Sequence, residues 1–131
     1  MIFKDSEHAQ RWEEAVRTAG AVRDDGTVDC DFGASLYILT GLPSVYDRVQ
    51  QHIHSKSIHF EPMLRKGLST GENILVALAG NLYNGGFFHA GSISYTPLDI
   101  VSLCDADGVV LATRALLLRK RRINISEILS E

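Results

Sequence analysis

The stretch STGENILVALAGNLYNGG, residues 69–86, limits what this chain can become more than any other part of it. Ser69 followed three positions later by Glu72 spells a capping box, in which the hydroxyl accepts from a first-turn amide and the carboxylate reaches back to the cap amide. Asn84, Gly85 and Gly86 break the pattern at the far end. Between these signals Ile74, Leu75, Val76, Ala77, Leu78, Ala79 and Leu82 leave no polar stripe, and a helix apolar all round has to be enclosed by other elements. Residues 70–84 therefore predict the central helix of a bundle. Gly80 inside it costs about 1 kcal/mol relative to alanine, so it marks a close approach by a neighbour.

The rest of the chain supplies helices to surround it. From Ser6, the residues Ala9, Trp12, Val16 and Ala19 recur at helical spacing up to Gly20. Asp31 is placed to cap a helix carrying Phe32, Leu36 and Leu39 on one face, with Gly41 as a left-handed stop. Pro43 opens a third helix through Val45, Tyr46, Val49 and Ile53. Thr96, Pro97 and Asp99 spell cap, first-turn proline and first-turn acid for a short helix through Ile100, Val101, Leu103 and Cys104. Asp105, Asp107 and Gly108 read as a turn. Residues 109–118 suit helix or buried strand by hydrophobicity; their length, two alanines and leucine content favour helix. Ile125, Ile128 and Leu129 form a last apolar patch for one helical turn. With 131 residues, 45% of them hydrophobic, the chain is long enough for one core and short for two. The expected fold is all-α, a compact single domain over residues 1–131 with about five to six short helices. An acidic loop at 20–31, an ordered connection at 54–68 and a polar loop at 86–95 complete it.

The sequence carries little local chemistry. His52, His54 and His59 fall within eight residues, but on a helix positions two apart point about 200° from each other, so His52 and His54 could share an ion only from extended backbone. They are weak metal candidates, and His8 and His89 lack ligand-spaced partners. The acidic turn at 105–108 lacks the glutamate of a calcium loop, since the twelfth position is Leu116. Gly80–Gly86 lacks the lysine of a phosphate loop, and Ser35 lacks the second glycine of a nucleophile elbow. Cys30 and Cys104 are too few and too separated for a disulfide scaffold or a cysteine zinc site, and read as reduced thiols. These absences describe a protein without catalytic activity or cofactor. No stretch of about 18 apolar residues exists, and the charged opening is no signal peptide, so the expectation is a cytoplasmic protein without membrane contact.

Charge is distributed unevenly. The formal total is −3. Residues 1–31 hold eight acids and four bases, and residues 108–131 hold five bases and two acids. Arg114, Arg119, Lys120, Arg121 and Arg122 can hold phosphates, which makes nucleic acid a candidate partner, or match an acidic protein surface. Asp24, Asp25, Asp29 and Asp31 can mimic a phosphate row for a basic groove. These nine residues are the candidate partner-binding set, with helix-dipole compensation and solubility as their simpler roles. Homo-oligomers fit as well, and Trp12, Phe87 and Phe88 are the aromatics to watch on any exposed apolar patch.

Several phrases in the chain are familiar as a group. They are MIFKDSEH at residues 1–8, then Ile58, Pro62 and Leu64, then GLSTG at 67–71, LAGNLYNG at 78–85, Thr96–Pro97, and Cys104. This order resembles a family of short phage and prophage proteins, a domain of unknown function, whose phrases are I-x-P followed by a leucine, G-W-Q-T-S-G, L-A-F-N-L-[WY]-N-G, a T-P or S-P capped helix and a following cysteine. The chain departs from it in lacking the aromatic and one residue of G-W-Q-T-S-G, and in placing Gly80 where phenylalanine is usual. The resemblance carries over no catalytic residue. It implies a small protein of a mobile element, working in the bacterial cytoplasm as a binding protein, most concretely an inhibitor of a host defence system such as CRISPR. A defence nuclease or its nucleic-acid complex is the implied partner; by analogy this is an anti-CRISPR-like, counter-defence role.

Overall fold

The structure is a computed structural model that describes residues 2–64 and 67–131; Met1 of the opening phrase and residues 65 and 66 of the 54–68 connection lie outside the described residues. Among the described residues the fold is all-α apart from three two-stranded pairs. Helix α1 is Ser6–Thr18, α2 Cys30–Thr40, α3 Pro43–Val49, α4 Phe60–Met63, α5 Thr70–Asn84, α6 Pro97–Leu103, α7 Ala106–Lys120 and α8 Ile125–Ser130. The strands are β1 (Thr27–Val28), β2 (Ile53–His54), β3 (Ser57–Ile58), β4 (His89–Ala90), β5 (Ile93–Ser94) and β6 (Ile123–Asn124), paired antiparallel as β1–β6, β2–β3 and β4–β5. The short α4 lies within the connection expected at 54–68, and α8 is the last helical turn expected at Ile125, Ile128 and Leu129.

The hub is α2, which packs against α1, α3, α5 and α7. Every residue from Phe32 to Thr40 is buried, so this helix, and not 70–84, stands at the centre. Its sequence CDFGASLYILT reads as a one-faced helix because Gly33, Ala34 and Ser35 are small, and small residues are what let neighbouring elements close on the remaining sides. Helix α5 lies against it, with Ile74 to Ala79 and Leu82 buried. The capping box at Ser69 and Glu72 forms, with amide-to-side-chain distances of 2.8 and 3.2 Å, and Gly85 caps the C-terminus at φ 70°. At Gly80 the close neighbour is the Phe60 ring of α4, 3.4 Å from where a Cβ would stand.

Three boundaries differ from the sequence reading. Asp29 is the N-cap of α2, and Asp31 sits in its first turn, accepting from the Phe32 amide at 2.9 Å. Asp105 caps α7 by accepting from the Gly108 amide at 2.7 Å, so the expected turn at 105–108 is the start of that helix, which settles residues 109–118 as helical. Gly41 ends α2 at φ −80°, not in the left-handed region. Glycine is needed there for space: a Cβ would lie 2.5 Å from Leu111 Cδ1 and 3.1 Å from the Tyr37 carbonyl.

Between α1 and α2 an aromatic cluster joins Phe3, His8, Trp12 and Tyr37, with ring centres 4.7–5.8 Å apart. The Lys4 amide donates to His8 Nδ1 at 3.1 Å, so the ring proton sits on Nε2 and is donated to the Tyr37 carbonyl at 2.9 Å. Burial is the main cause that lowers the His8 pKa to about 4.

Two outcomes follow. Gly41→Ala is expected to cost about 1–3 kcal/mol by overpacking against Leu111 and Tyr37, read from the urea midpoint. His8 is neutral in the fold but takes a proton in the unfolded chain below its ordinary value of 6.5. Stability therefore falls as pH drops from about 7.5 to about 4, by roughly 3 kcal/mol from this residue. His8→Gln should flatten that slope in urea titrations at the two pH values.

Candidate functional site

The two charged ends of the sequence become neighbours. Strand β1 follows the acidic turn at Asp24 and Asp25, and β6 follows Arg121 and Arg122, so the pairing Thr27↔Asn124 and Val28↔Ile123 sets one turn beside the other. The Ile125 amide adds a bond to the Gly26 carbonyl at 2.9 Å. Thus residues 20–31, read from sequence as a solvated loop, bury Ala21, Thr27 and Val28 and hold a strand. Arg122 reaches Asp25 at 3.8 Å, Arg121 reaches Glu131 at 3.1 Å, and Arg23 pairs with Asp29. Asp25 also accepts from the Thr27 hydroxyl at 2.6 Å and the Thr27 amide at 3.0 Å, and these bonds hold its carboxyl below the usual carboxylate range. Arg114 donates to the Ile2 carbonyl at 3.1 Å, and Arg119 donates to the Leu82 carbonyl at 2.8 Å and toward Cys30 Sγ at 3.3 Å. Of the nine charged candidates the fold joins Asp25 with Arg122, ties Arg114 and Arg119 to backbone, and leaves Asp24 and Lys120 exposed.

The histidines sit on a hairpin. A 3₁₀ turn ends at His52, and β2 and β3 pair as Ile53↔Ile58 and His54↔Ser57. The backbone is therefore extended where the sequence pattern suggested a continuing helix through Ile53. Ile53 and Ile58 point into the core, and the His54 and His59 rings meet outside with centres 4.8 Å apart. Among the described residues no group of three or more His, Cys, Asp or Glu side chains is arranged to hold a metal ion.

Three of the familiar phrases converge. Lys4, Ser69 to Gly71 and Cys104 line a cavity of about 500 Å³ between the N-terminal ends of α5 and α7. Gly71 and Gly108 allow the approach, since a Cβ at either would lie 3.2–3.4 Å from its nearest neighbour. Cys104 donates weakly to the Gly71 carbonyl at 3.7 Å, and burial followed by the Asp105 charge pushes its thiol pKa up. A thiol held protonated is a poor nucleophile, so this cavity offers packing and polar contacts and not an activated sulfur.

A second region was marked in the sequence only by Phe87 and Phe88, as aromatics to watch. Residues 86–95, read as a polar loop, form the β4–β5 arm, with Gly91 at φ 61° in its turn and Phe88 against Tyr95 at its base. Phe87 is 89% exposed and Ile93 58%. Helix α6 follows at once, started by the Thr96 amide donating to Asp99 at 2.6 Å, and exposes Leu98 at 68% and Val101 at 64%, one turn apart. Between the arm and helices α4 and α5 lies a groove of about 450 Å³, floored by Val76, Ala77 and Gly80 and walled by Phe60, Leu64 and Phe87. Trp12, by contrast, is fully buried. The available signal for this region was that PLDIVSL carries four apolar residues in a seven-residue helix, more than one face can bury, and only Ile100 is buried.

Among the described residues no helix is long and apolar enough to cross a membrane. Comparison with protein-family models, curated proteins and solved structures finds no match to the chain. The raised thiol pKa has a direct readout: with Cys30 replaced by serine, Cys104 should react with a maleimide at neutral pH more slowly than free cysteine, and gain rate as pH rises.

Proposed function

We propose that this chain is a binding protein without catalytic activity that acts by protein–protein contact, docking through the β4–β5 arm and α6. One observation carries the reading: Phe87, Ile93, Leu98, Val101 and Leu103 are each more than half exposed within a single short segment. Large exposed apolar side chains gathered in one region mark interaction surfaces, because each returns about 25 cal/mol per Å² when a partner covers it. The neighbouring groove supplies a concave receptor for a partner side chain, with an apolar floor at Val76 and Ala77 and the polar groups of Glu61, Asn84 and His89 in its lining. The resemblance to phage and prophage proteins supplies the setting, a bacterial cytoplasm in which the partner is a host protein. In that setting the most concrete role is occupation of a host defence component, such as a CRISPR nuclease or its nucleic-acid complex.

The test is a defence-interference assay in bacteria, paired with capture of purified defence components. The wild-type chain is expected to restore phage plaquing and to retain its target. Phe87→Ser and Leu98→Ser should each weaken capture by roughly tenfold or more, as central apolar contacts do, while circular dichroism stays unchanged. Absence of interference by the wild type, or equal capture by the variants, would overturn the reading.

A further inference from the structure

The outer face of the β2–β3 hairpin has the geometry of a two-point chelate. The hairpin turns through Ser55 and Lys56, with Lys56 at φ 67°, and its register places His54 opposite Ser57 and His59 two residues beyond on the same face. The hairpin is a firm support. Ile53 and Ile58 are buried beneath it, the Lys56 amide bonds the Ala19 carbonyl at 2.8 Å, and the His59 amide bonds the His52 carbonyl at 2.9 Å. Lys56, the one cation in the hairpin, turns its ammonium to the Gly20 carbonyl at 2.9 Å. Both imidazoles are exposed, with ring centres 4.8 Å apart and planes inclined by 50°.

That separation is informative. With metal–nitrogen bonds of about 2.0–2.1 Å and a ring nitrogen about 1.1 Å from its ring centre, two imidazoles on one ion at 90–110° have centres about 4.5–5.2 Å apart. The observed 4.8 Å lies inside this window, so the rings already have the spacing of a chelate, and binding would turn their nitrogens to a common point, with His59 Nε2 giving up its 3.4 Å contact with the Ser57 hydroxyl. We propose that His54 and His59 form a binding site for a borderline divalent transition-metal ion, with water completing its coordination. Two imidazoles and open positions give an exchangeable site and not a structural one. Their nitrogen donors rank Cu²⁺ above Ni²⁺ and Zn²⁺ and leave Mg²⁺ and Ca²⁺ unbound. The proposal is independent of the docking face on the arm.

Titration of the intact chain with Cu²⁺, followed by calorimetry and by electron paramagnetic resonance, tests it. One equivalent is expected, with two nitrogen donors in the spectrum and weaker uptake of Zn²⁺. His54→Ala and His59→Ala should each lose at least the roughly 10–100-fold that removal of a supporting group costs a metal site. His89→Ala, on the separate β4–β5 arm, should bind as wild type. Binding unchanged in the His54 and His59 variants, loss in His89→Ala of the same size, or no uptake by the wild type would each overturn the proposal.

Discussion

Burial of α2 on all sides is the constraint on which the rest of the structure depends. A helix with nine consecutive buried residues has no face of its own to offer water, so α1, α3, α5 and α7 are obliged to cover it. Close approach on every side needs missing side chains. Gly33 leaves room for the Ile123 side chain from β6, which a Cβ would meet at 2.7 Å, and its carbonyl accepts the Trp12 indole proton at 2.9 Å. Hydroxyls inside such a helix turn to its own backbone, as Thr40 does toward the Leu36 carbonyl at 2.6 Å. Ser35 Oγ is buried without a partner among the described residues, a cost of about 1–3 kcal/mol that the surrounding apolar contacts have to offset.

Because β6 closes over α2, the chain's two oppositely charged ends are drawn together by packing and not by attraction. Ile123 is fully buried, while the Arg122–Asp25 pair beside it is mostly exposed and screened by water, so it adds little. The charges follow where the apolar residues take them. Part of what reads as a polarised molecule along the sequence is therefore local neutralisation in space, and the exposed surface that stands out is apolar and lies elsewhere, on the arm and α6.

Elements longer than about two turns with explicit caps were readable from sequence. Ser69 with Glu72, Thr96 with Pro97 and Asp99, and the 3.6-residue recurrence from Ala9 to Ala19 each correspond to a helix. The hub was mistaken because α5 is richer in large aliphatic residues than α2, and hydrophobicity records size better than enclosure. Two-residue strands carry no period, so β1, β2, β3 and β6 left no trace, and the sequence, which marked His52, His54 and His59 as metal candidates, did not show that β2 and β3 bring His54 against His59. On the arm the sequence marked Phe87 among the aromatics to watch; on α6, Leu98 and Val101 look like core residues, and only the burial of Ile100 shows which face of that helix packs inward.

Trp12 gives this arrangement an intrinsic optical reporter. It is the single tryptophan of the chain, fully buried, edged by Phe3 and hydrogen-bonded to the backbone of α2. Its emission therefore comes from one site in the middle of the α1–α2 contact, and any event that loosens the hub, wherever on the molecule it begins, passes into the spectrum of that one indole as a red shift on exposure to water.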